Sequence, residues 1–466
     1  MRVRIAIAVA GMLVSAPALA APCNGNLCNA DELAPVFAKL AAAKTRGTRP
    51  VHILQIGDSH TAGDAITGAW RDLLQARYGG GGRGVLAAGR PYAGYLTRGV
   101  TATMSSGWRV NGTFGSGSAQ PRPAIGVAGF SMTSTTPGAS MSLTSDGAQS
   151  FDRFVLCAIA RPGAGALMVR IGAAESRFDL DSNTERPQCR TFALDRPNPS
   201  VTVTADGAPV TITSWGTFRD NGGVVLSNVG VVGSQLIHFS RTDDAVLKEE
   251  FRSYRPDMIV LAYGTNEGFS PSVSAFGYET TLRSAIGRLR RLAGNVPILM
   301  LGAPDAASRQ PALLNNAPGG AVSCSVPAVR VTTAVPVVVP AVVAPSAAGQ
   351  DMDATIAALA AQSGSSAPVV VPVAATTTTT VKPAVSGLFV PPGMRAVRDI
   401  QRRIAGELGL AFWDWGARMG GPCSSTQWVR GTPSRMRGDY VHFNSLGGRD
   451  IAGRLQADLD AAGMPR

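Results

Sequence analysis

A serine at the junction between an apolar run and a helical pattern is the first residue of the chain that could do chemistry. The run over 51–56 is rich in β-branched residues and ends at Gly57-Asp58-Ser59. From 65 to 77 the apolar residues recur at three- and four-residue spacing, which is typical of a helix. Ser59 would therefore lie at a turn where backbone N–H groups and the helix dipole favour an oxyanion. The alternative is that Asp58 or Ser59 only caps the helix.

A histidine and an aspartate near the C-terminus could activate this serine. Asp439 and His442 are three residues apart, just before a helical pattern over 446–459. A nucleophilic serine needs a base within hydrogen-bond reach, and the base needs an orienting group. The carboxylate of Asp439 could contact Nδ1 of His442 and leave Nε2 free to face Ser59.

The other three histidines of the chain suit this role less well. His52 lies inside the apolar run and His238 lies in a second apolar segment, so we expect both to be packed. His60 follows the serine directly and is either a structural residue or part of the pocket wall. His442 is therefore the predicted base.

Four sequence blocks make the chain resemble the SGNH (GDSL-type) hydrolase family. They are the Ser block Gly57–His60, the Gly block Gly230–Gln235, the Asn block Ala262–Glu267 and the His block Asp439–His442. The resemblance implies an esterase whose oxyanion is held by the backbone N–H groups of Ser59 and Gly233 and by the side chain of Asn266. Gly230 competes with Gly233 for that role.

Two departures from the common family pattern resemble one branch of the family. His60 stands where many members carry Leu, and Glu267 stands where many carry Asp. Both variants resemble the branch that includes peptidoglycan O-acetylesterases. We expect Asp58, His60 and Glu267 to be pocket residues.

The order of predicted elements indicates an α/β fold. The resemblance implies an SGNH-hydrolase-like (flavodoxin-like) arrangement, a parallel sheet between two helical layers. The hydrolase domain would consist of residues 30–100, 229–311 and 388–466. Strand-like runs at 258–261, 296–301 and 410–414 and helical patterns at 278–292 and 393–408 support this division.

Residues 101–228 predict an inserted all-β sandwich. Short apolar runs, among them 224–226, are separated by turn signals such as Asp206-Gly207. The two alternating runs that flank Asp206-Gly207 are typical of a hairpin. In the branch that the chain resembles, a sandwich similar to a carbohydrate-binding module occupies this place. Trp108 and Trp215 could offer stacking faces for sugars or lie in the core.

The N-terminus predicts export. A basic start, an apolar run over 5–14 and Ala18-Leu19-Ala20 indicate a signal peptide over residues 1–20. Six cysteines remain in the mature chain, and an even number in an exported protein suggests disulfides. Connectivity does not follow from the sequence, but order and domain placement favour Cys23–Cys28, Cys157–Cys189 and Cys324–Cys423.

Residues 312–387 have a biased composition of Ala, Val, Pro and Thr. We expect a long exposed insertion that is partly disordered or extended, with one short helix around 352–361. Such a segment is a poor candidate for chemistry.

The balance of charge limits the possible partners. The formal charge is +12, and loss of two arginines with the signal peptide leaves 12 − 2 = +10. This charge could attract an anionic wall polymer or a membrane surface, or simply reflect an arginine-rich composition. The chain has no basic cluster with interleaved aromatic residues, so nucleic acid is not an expected partner. No cysteine or histidine cluster has zinc-ligand spacing, so we expect neither a metal nor a cofactor.

These observations lead to the expectation of an exported serine esterase that removes O-acetyl groups from a cell-wall polysaccharide. By resemblance, the favoured substrate is the MurNAc O-acetyl group of peptidoglycan. The alternatives are a deacetylase or acetyltransferase that acts on another polysaccharide, a lipid esterase, and a non-catalytic wall-binding protein with a degenerate hydrolase domain.

Overall fold

The computed structural model describes residues 23–309, apart from 96, 116–123, 208 and 272–273, and residues 322–335, 376–382, 384 and 386–466. The chain divides into two compact units, one that extends to Cys324 and resumes at Gly387, and one formed by Ser325–Ser386. The predicted signal peptide and the short helix predicted around 352–361 lie outside the described residues.

The elements of the first unit follow the predicted α/β order. Its helices are α1 (Ala34–Ala41), α2 (Ser59–Ala62), α3 (Ala65–Tyr78), α4 (Leu236–Phe239), α5 (Asp244–Tyr254), α6 (Thr265–Phe269), α7 (Ala275–Ala293), α8 (Pro392–Leu408), α9 (Trp415–Met419), α10 (Ser424–Arg430) and α11 (Ser445–Ala461). Among the described residues, no helix combines the length and the apolar character needed to cross a bilayer.

The central sheet is formed by strands from both ends of the chain. Its strands are β1 (Cys23–Asn24), β2 (Leu27–Cys28), β3 (Val51–Gly57), β15 (Val224–Gly230), β16 (Met258–Ala262), β17 (Ile298–Leu301) and β22 (Ala411–Trp413), in the order β1-β2-β22-β17-β16-β3-β15. The last five strands of that order are parallel to one another. Counted along the chain, their order is 2-1-3-4-5, which is flavodoxin-like.

The burial of strand β3 shows that the central sheet is covered on both faces. All seven of its residues are buried, as expected of a central parallel strand. Ile53 packs in a core that includes α1, α3 and α11, while the alternate residues, such as Leu54, are buried on the opposite face. The predicted three-layer α/β fold is confirmed.

The all-β insertion consists of two antiparallel sheets. The strands are β4 (Gly84–Leu86), β5 (Val100–Met104), β6 (Trp108–Gly112), β7 (Phe130–Ser134), β8 (Ser140–Ser145), β9 (Phe151–Ala160), β10 (Ala166–Ile171), β11 (Ala174–Asp179), β12 (Arg186–Asn198), β13 (Ser200–Asp206) and β14 (Val210–Phe218). One sheet has the order β11-β10-β13-β8-β5; the other has the order β12-β9-β14-β7-β6, with β4 paired to β14. Trp215, in β14, is fully buried and belongs to the core, whereas Trp108 is partly exposed.

Two details of the insertion differ from the predictions. The runs that flank Asp206-Gly207 do not form a hairpin, because β13 pairs with β10 and β8 while β14 pairs with β9, β7 and β4. Residues 224–226 belong to β15, which pairs with β3 in the central sheet, and not to the insertion. All three runs are rich in β-branched residues, which suits a strand in either sheet.

The three predicted disulfides are confirmed. Cys23–Cys28 closes the β1–β2 hairpin, Cys157–Cys189 joins paired residues of β9 and β12, and Cys324–Cys423 joins distant parts of the first unit. The first unit also contains the short antiparallel pair β18 (Val322–Ser323) and β21 (Phe389–Val390).

The second unit contains a two-stranded antiparallel ribbon of β19 (Val329–Val335) and β20 (Thr376–Lys382). The threonine run over 376–380 is therefore extended, which agrees with the β propensity of threonine.

Candidate active site

Ser59 lies at the topological switch point of the central sheet. Strand β3 has its two parallel neighbours, β15 and β16, on opposite sides, and α2 begins at Ser59 directly after β3. In open α/β sheets, ligands bind outside the carboxyl ends of the strands at such a point. A Cβ on Gly57 would lie 2.4 Å from the carbonyl oxygen of Ala262, so glycine permits the close approach of β3 and β16 there.

The cap and the candidate nucleophile are separate residues. Asp58 is the N-cap of α2, and its Oδ1 accepts a hydrogen bond of 2.9 Å from the backbone N–H of His60. The Oγ of Ser59 instead lies 2.9 Å from Nε2 of His442. The capping alternative therefore applies to Asp58 and not to Ser59.

The structure brings the three predicted catalytic residues into one hydrogen-bonded chain. Nδ1 of His442 lies 2.9 Å from Oδ2 of Asp439, and Nε2 faces Ser59. Oδ1 of Asp439 accepts 2.9 Å hydrogen bonds from the backbone N–H groups of Val441 and His442. In this arrangement Nδ1 donates to the carboxylate, and Nε2 can accept the proton of the serine hydroxyl.

The carboxylate of Asp439 is held in its charged form. Partial burial raises the pKa of Asp439, but the backbone N–H groups of His442 and Val441 and the His442 ring outweigh burial, and the pKa lies below its ordinary value. The side chains of Asp439 and His442 are 44% and 37% exposed, so this half of the triad faces solvent.

A tight turn positions His442. The backbone N–H of Arg437 donates to the carbonyl of His442 at 2.8 Å, and Tyr440 has a left-handed φ of 61°. The N–H of Ala307, in the loop after β17, donates to the carbonyl of Tyr440 at 3.1 Å. The turn is therefore anchored to the carboxyl edge of the central sheet.

The Gly block and the Asn block are hydrogen-bonded to each other. Nδ2 of Asn266 donates to the carbonyl of Ser234 at 2.9 Å, and Nε2 of Gln235 donates to the carbonyl of Asn266 at 3.1 Å. The amide of Asn266 has a second N–H, which stays available to another acceptor.

Glu267 joins the Asn block to the start of α4, which directly follows the Gly block. Its Oε1 accepts from the N–H of Leu236 at 2.6 Å, and its Oε2 accepts from the N–H of Gly264 at 3.0 Å. Burial raises the pKa of Glu267 to about 7. This residue supports the loops and does not line the catalytic cavity.

The two competing glycines of the Gly block have different surroundings. Gly230 ends β15, where a Cβ would lie 2.3 Å from the backbone nitrogen of Ala62 in α2. Gly233 lies in the following loop, with a φ of 77° that favours glycine. Close packing therefore explains Gly230, and Gly233 stays the predicted oxyanion donor.

His60 and Asp58 form a buried pair beside the triad. Nδ1 of His60 lies 3.3 Å from Oδ1 of Asp58, and Nε2 lies 3.0 Å from the carbonyl oxygen of Val441. Burial lowers the pKa of His60, but the hydrogen bond and charge of Asp58 outweigh it, and the pKa is raised. Because both ring nitrogens face acceptors, the geometry fits a protonated imidazolium. His60 thus links the Ser block to the His block.

The remaining two histidines are structural, as expected. His52 is buried, with Nε2 2.7 Å from Oγ of Ser227 and Nδ1 2.9 Å from the carbonyl of Tyr254, and burial lowers its pKa to about 4. Nδ1 of His238 accepts from the N–H of Gln235 at 2.9 Å, which fixes the first turn of α4.

Comparisons with known proteins support the fold. No protein-family model matches the sequence, and no curated protein matches it. Among solved structures, "Peptidoglycan O-acetylesterase in action, 5 min" matches with a TM-score of 0.65 and 22% identity, over 94% of this chain and 99% of that chain. The chain has the SGNH-hydrolase fold. At 22% identity, this comparison shows the fold and not the activity.

Two other solved structures have lower similarity. A GDSL-like lipase from Parabacteroides merdae shares 13% identity over 52% of this chain and 74% of its own, with a TM-score of 0.27. An acetyl xylan esterase shares 14% identity over 50% of this chain and 80% of its own, also with a TM-score of 0.27. TM-scores this low support no conclusion about this chain. The resemblance of the insertion to a carbohydrate-binding module stays a prediction.

On the SGNH-hydrolase fold of this chain, a cavity of about 220 Å³ opens at Ser59 and His442. It is lined by Ser59, His60, Ala62, Gly63, Ala65, Ile66, Tyr92, Gly94, Val232, Arg437, His442 and Phe443. Of the three expected pocket residues only His60 lines it. Asp58 instead accepts a hydrogen bond from the first turn of α2, and Glu267 accepts hydrogen bonds from the N–H groups of Leu236 and Gly264. Tyr92 and Arg437 come from loops outside the four sequence blocks, and Val232 lies in the Gly block beside Gly233 but was not predicted to line the cavity.

No group of three or more metal-ligating side chains occurs in the part of the chain that the structure describes.

Proposed function

We propose that this chain is an exported serine esterase that removes O-acetyl groups from a cell-wall polysaccharide, with the MurNAc O-acetyl group of peptidoglycan as its substrate. The observation that carries the proposal is the hydrogen-bonded chain from Ser59 through His442 to Asp439, with both links at 2.9 Å. The solved peptidoglycan O-acetylesterase of the same fold supports the choice of substrate. Three disulfides support a location in an oxidising compartment.

In the first half of the reaction, Oγ of Ser59 attacks the acetyl carbonyl carbon while Nε2 of His442 takes the hydroxyl proton. The negative charge of Asp439 stabilises the imidazolium that forms. When the tetrahedral intermediate collapses, the bond between the acyl carbon and the sugar oxygen breaks. His442 then returns its proton to the sugar oxygen, which leaves as a hydroxyl group.

In the second half, water attacks the acetyl group on Ser59. His442 takes a proton from the water and then protonates Oγ of Ser59, and acetate leaves. In both halves, the oxyanion would accept hydrogen bonds from the backbone N–H groups of Ser59 and Gly233 and from the amide of Asn266.

Other acceptors and substrates use the same acetyl-serine chemistry. A sugar hydroxyl in place of water would make the protein an acetyltransferase, and another acetylated polysaccharide would need only a different binding surface. A lipid ester is less favoured, because a cavity of about 220 Å³ suits a short acyl group. The basic charge of the mature chain would favour association with an anionic wall or membrane surface.

Acetate release tests the proposal. The purified mature chain should release acetate from O-acetylated peptidoglycan faster than from acetylated xylan, and none from de-acetylated wall. Ser59→Ala should abolish release. Hydrolysis of a simple aryl acetate without release from any wall polymer would contradict the proposed substrate. Activity retained in Ser59→Ala would contradict the proposed nucleophile, and absence of any turnover would favour a wall-binding protein.

A further inference from the structure

A second cavity adjoins the catalytic cavity. The catalytic cavity measures about 220 Å³ and its neighbour about 190 Å³. Tyr92 and Val232 line both of them. A substrate with its ester at Ser59 can therefore extend past these two side chains into the second cavity.

The inserted sheets supply most of the remaining wall of the second cavity. Val110 and Gly112 belong to β6, which is an edge strand of its sheet, and Phe130 begins β7. Phe114 follows β6 and is 37% exposed. The all-β insertion thus faces the candidate active site with a wall that is mainly apolar and aromatic.

The aromatic side chains of this wall are held in place by their neighbours. The rings of Tyr92 and Phe130 have centroids 6.0 Å apart, and the ring of Phe114 stacks on His238 with centroids 4.5 Å apart. Val232 is 52% exposed, so the cavity is open to solvent at its rim. Rigid aromatic faces beside water suit a ligand that has both apolar and hydroxylated sides.

We propose that this second cavity is a carbohydrate subsite that binds the sugar ring next to the acetylated sugar in the polymer. The proposal rests on the proposed function, because only a polysaccharide substrate has a second sugar ring next to the acetylated one. The apolar wall would contact the C–H face of a pyranose, and the hydroxyl of Tyr92 would hydrogen-bond to the sugar. An acyl chain is the less suitable occupant, because the open rim would leave part of it in water.

Tyr92 is suited to donate such a hydrogen bond. Burial raises the pKa of Tyr92 to about 12, so its hydroxyl keeps the proton at neutral pH. Its position between the two cavities would also fix the direction in which the polymer leaves the catalytic serine.

A useful variant must separate sugar binding from support of the oxyanion loop. Phe114 contacts that loop, since a Cβ on Gly233 would lie 2.7 Å from Cε1 of Phe114. Val110 lines the second cavity and not the first, so Val110→Trp would fill the subsite without a change in the catalytic wall. Phe276, which is 81% exposed on α7, provides a control in the variant Phe276→Ala.

The experiment compares kcat/KM for O-acetylated peptidoglycan, an aryl acetate and an aryl octanoate in each variant, with thermal unfolding as the check of folding. For Val110→Trp, we expect the ratio of polymer to aryl acetate to fall about ten-fold, mainly through KM, which corresponds to about 1.4 kcal/mol. Phe114→Ala should lower the same ratio, whereas Phe114→Trp, which keeps an aromatic ring, should leave the ratio near the wild-type value. Phe276→Ala should leave the ratio at the wild-type value.

Three results would overturn the subsite. The first is a ratio of polymer to aryl acetate that is unchanged in both Val110→Trp and Phe114→Ala. The second is an equal fall in kcat/KM with polymer and aryl acetate, which would assign the wall to support of the oxyanion loop. The third is a selective fall in kcat/KM with the octanoate, which would indicate an acyl pocket. If Val110→Trp does not fold, Phe114→Ala and Phe114→Trp decide, because an effect on the oxyanion loop would change kcat/KM for both substrates and cancel in the ratio. A wild-type protein that hydrolyses the aryl acetate but releases no acetate from peptidoglycan would instead overturn the proposed function, and the subsite with it.

Discussion

Replacement of Asn266 by alanine tests the oxyanion assignment most directly. The change removes two hydrogen bonds, the one proposed to the oxyanion and the 2.9 Å bond from Nδ2 to the carbonyl of Ser234. Loss of an oxyanion donor costs about 3–4 kcal/mol in the transition state, or a factor of about 10²–10³ in kcat. Loss of an ordinary loop hydrogen bond costs about 1 kcal/mol, or about five-fold. We therefore expect kcat to fall by two to three orders of magnitude, with KM little changed.

Gln235→Ala provides the matched control. It removes the 3.1 Å hydrogen bond from Nε2 of Gln235 to the carbonyl of Asn266, which joins the same two loops, but it leaves the amide of Asn266 in place. We expect a fall of only about five-fold in this variant. Initial rates with an aryl acetate give kcat and KM, and thermal unfolding shows whether each variant is folded. Equal losses in the two variants would reduce Asn266 to a loop contact, and a change in KM alone would assign it to substrate binding.

Three further predictions concern orientation, stability and the second unit. Asp439→Asn should lower kcat for an aryl acetate by about three to four orders of magnitude, because an amide cannot hold the correct tautomer of His442 or stabilise its cation; a loss below ten-fold would contradict that role. Asp64 is fully buried 2.9 Å from Arg71 and 3.0 Å from Arg83, so Asp64→Asn should lower the free energy of unfolding in urea by about 3–5 kcal/mol, whereas the surface variant Asp72→Asn should change it by less than about 0.5 kcal/mol. Burial raises the pKa of Asp64, but the two arginines outweigh burial and lower the pKa to about 2. The contribution of Asp64 to the free energy of unfolding is therefore present above its unfolded pKa near 3.8 and is lost as the pH falls through about 2. A free energy of unfolding that is flat over this range would contradict the assignment. Replacement of residues 325–386 by a short Gly-Ser linker should leave aryl-acetate kcat/KM within about two-fold of wild type, because the N–H of Cys324 donates to the carbonyl of Leu388 at 2.8 Å and the cut ends lie close together; a large loss would show that the second unit supports the site.

The residues of the proposed triad, which the structure brings together, could be selected from the sequence because their chemistry restricts the choice. The chain has only four histidines, and only His442 has an aspartate at the spacing of a tight turn before a helix. Connectivity of the six cysteines does not follow from the sequence, but the pairing favoured by order and domain placement is the one in the structure. In both cases a few rare residue types carried the information.

The insertion was harder to predict because its strands share one composition. Residues 224–226 belong to a buried parallel strand, and residues 210–218 form a buried antiparallel strand, but both strands contain β-branched residues and are buried along their whole length. The choice of sheet depends on the partner strand, which lies far away in the sequence and leaves no local signal. The cavity walls were missed for the same reason, since Tyr92 and Val232 come from loops that meet only in the folded chain.

The Asp58–His60 pair has a structural role that the usual interpretation of the Ser block does not include. From the sequence, Asp58 is a cap and His60 is a neighbour of the nucleophile. In the structure, one oxygen of Asp58 faces both the backbone N–H and the ring of His60, and that ring reaches the carbonyl of Val441, the residue before the catalytic histidine. Ser59 and His442 lie 383 residues apart in the chain, but the contacts of this buried pair join their two loops. The geometry of the triad therefore depends on a side-chain pair that takes no part in the proposed proton transfer.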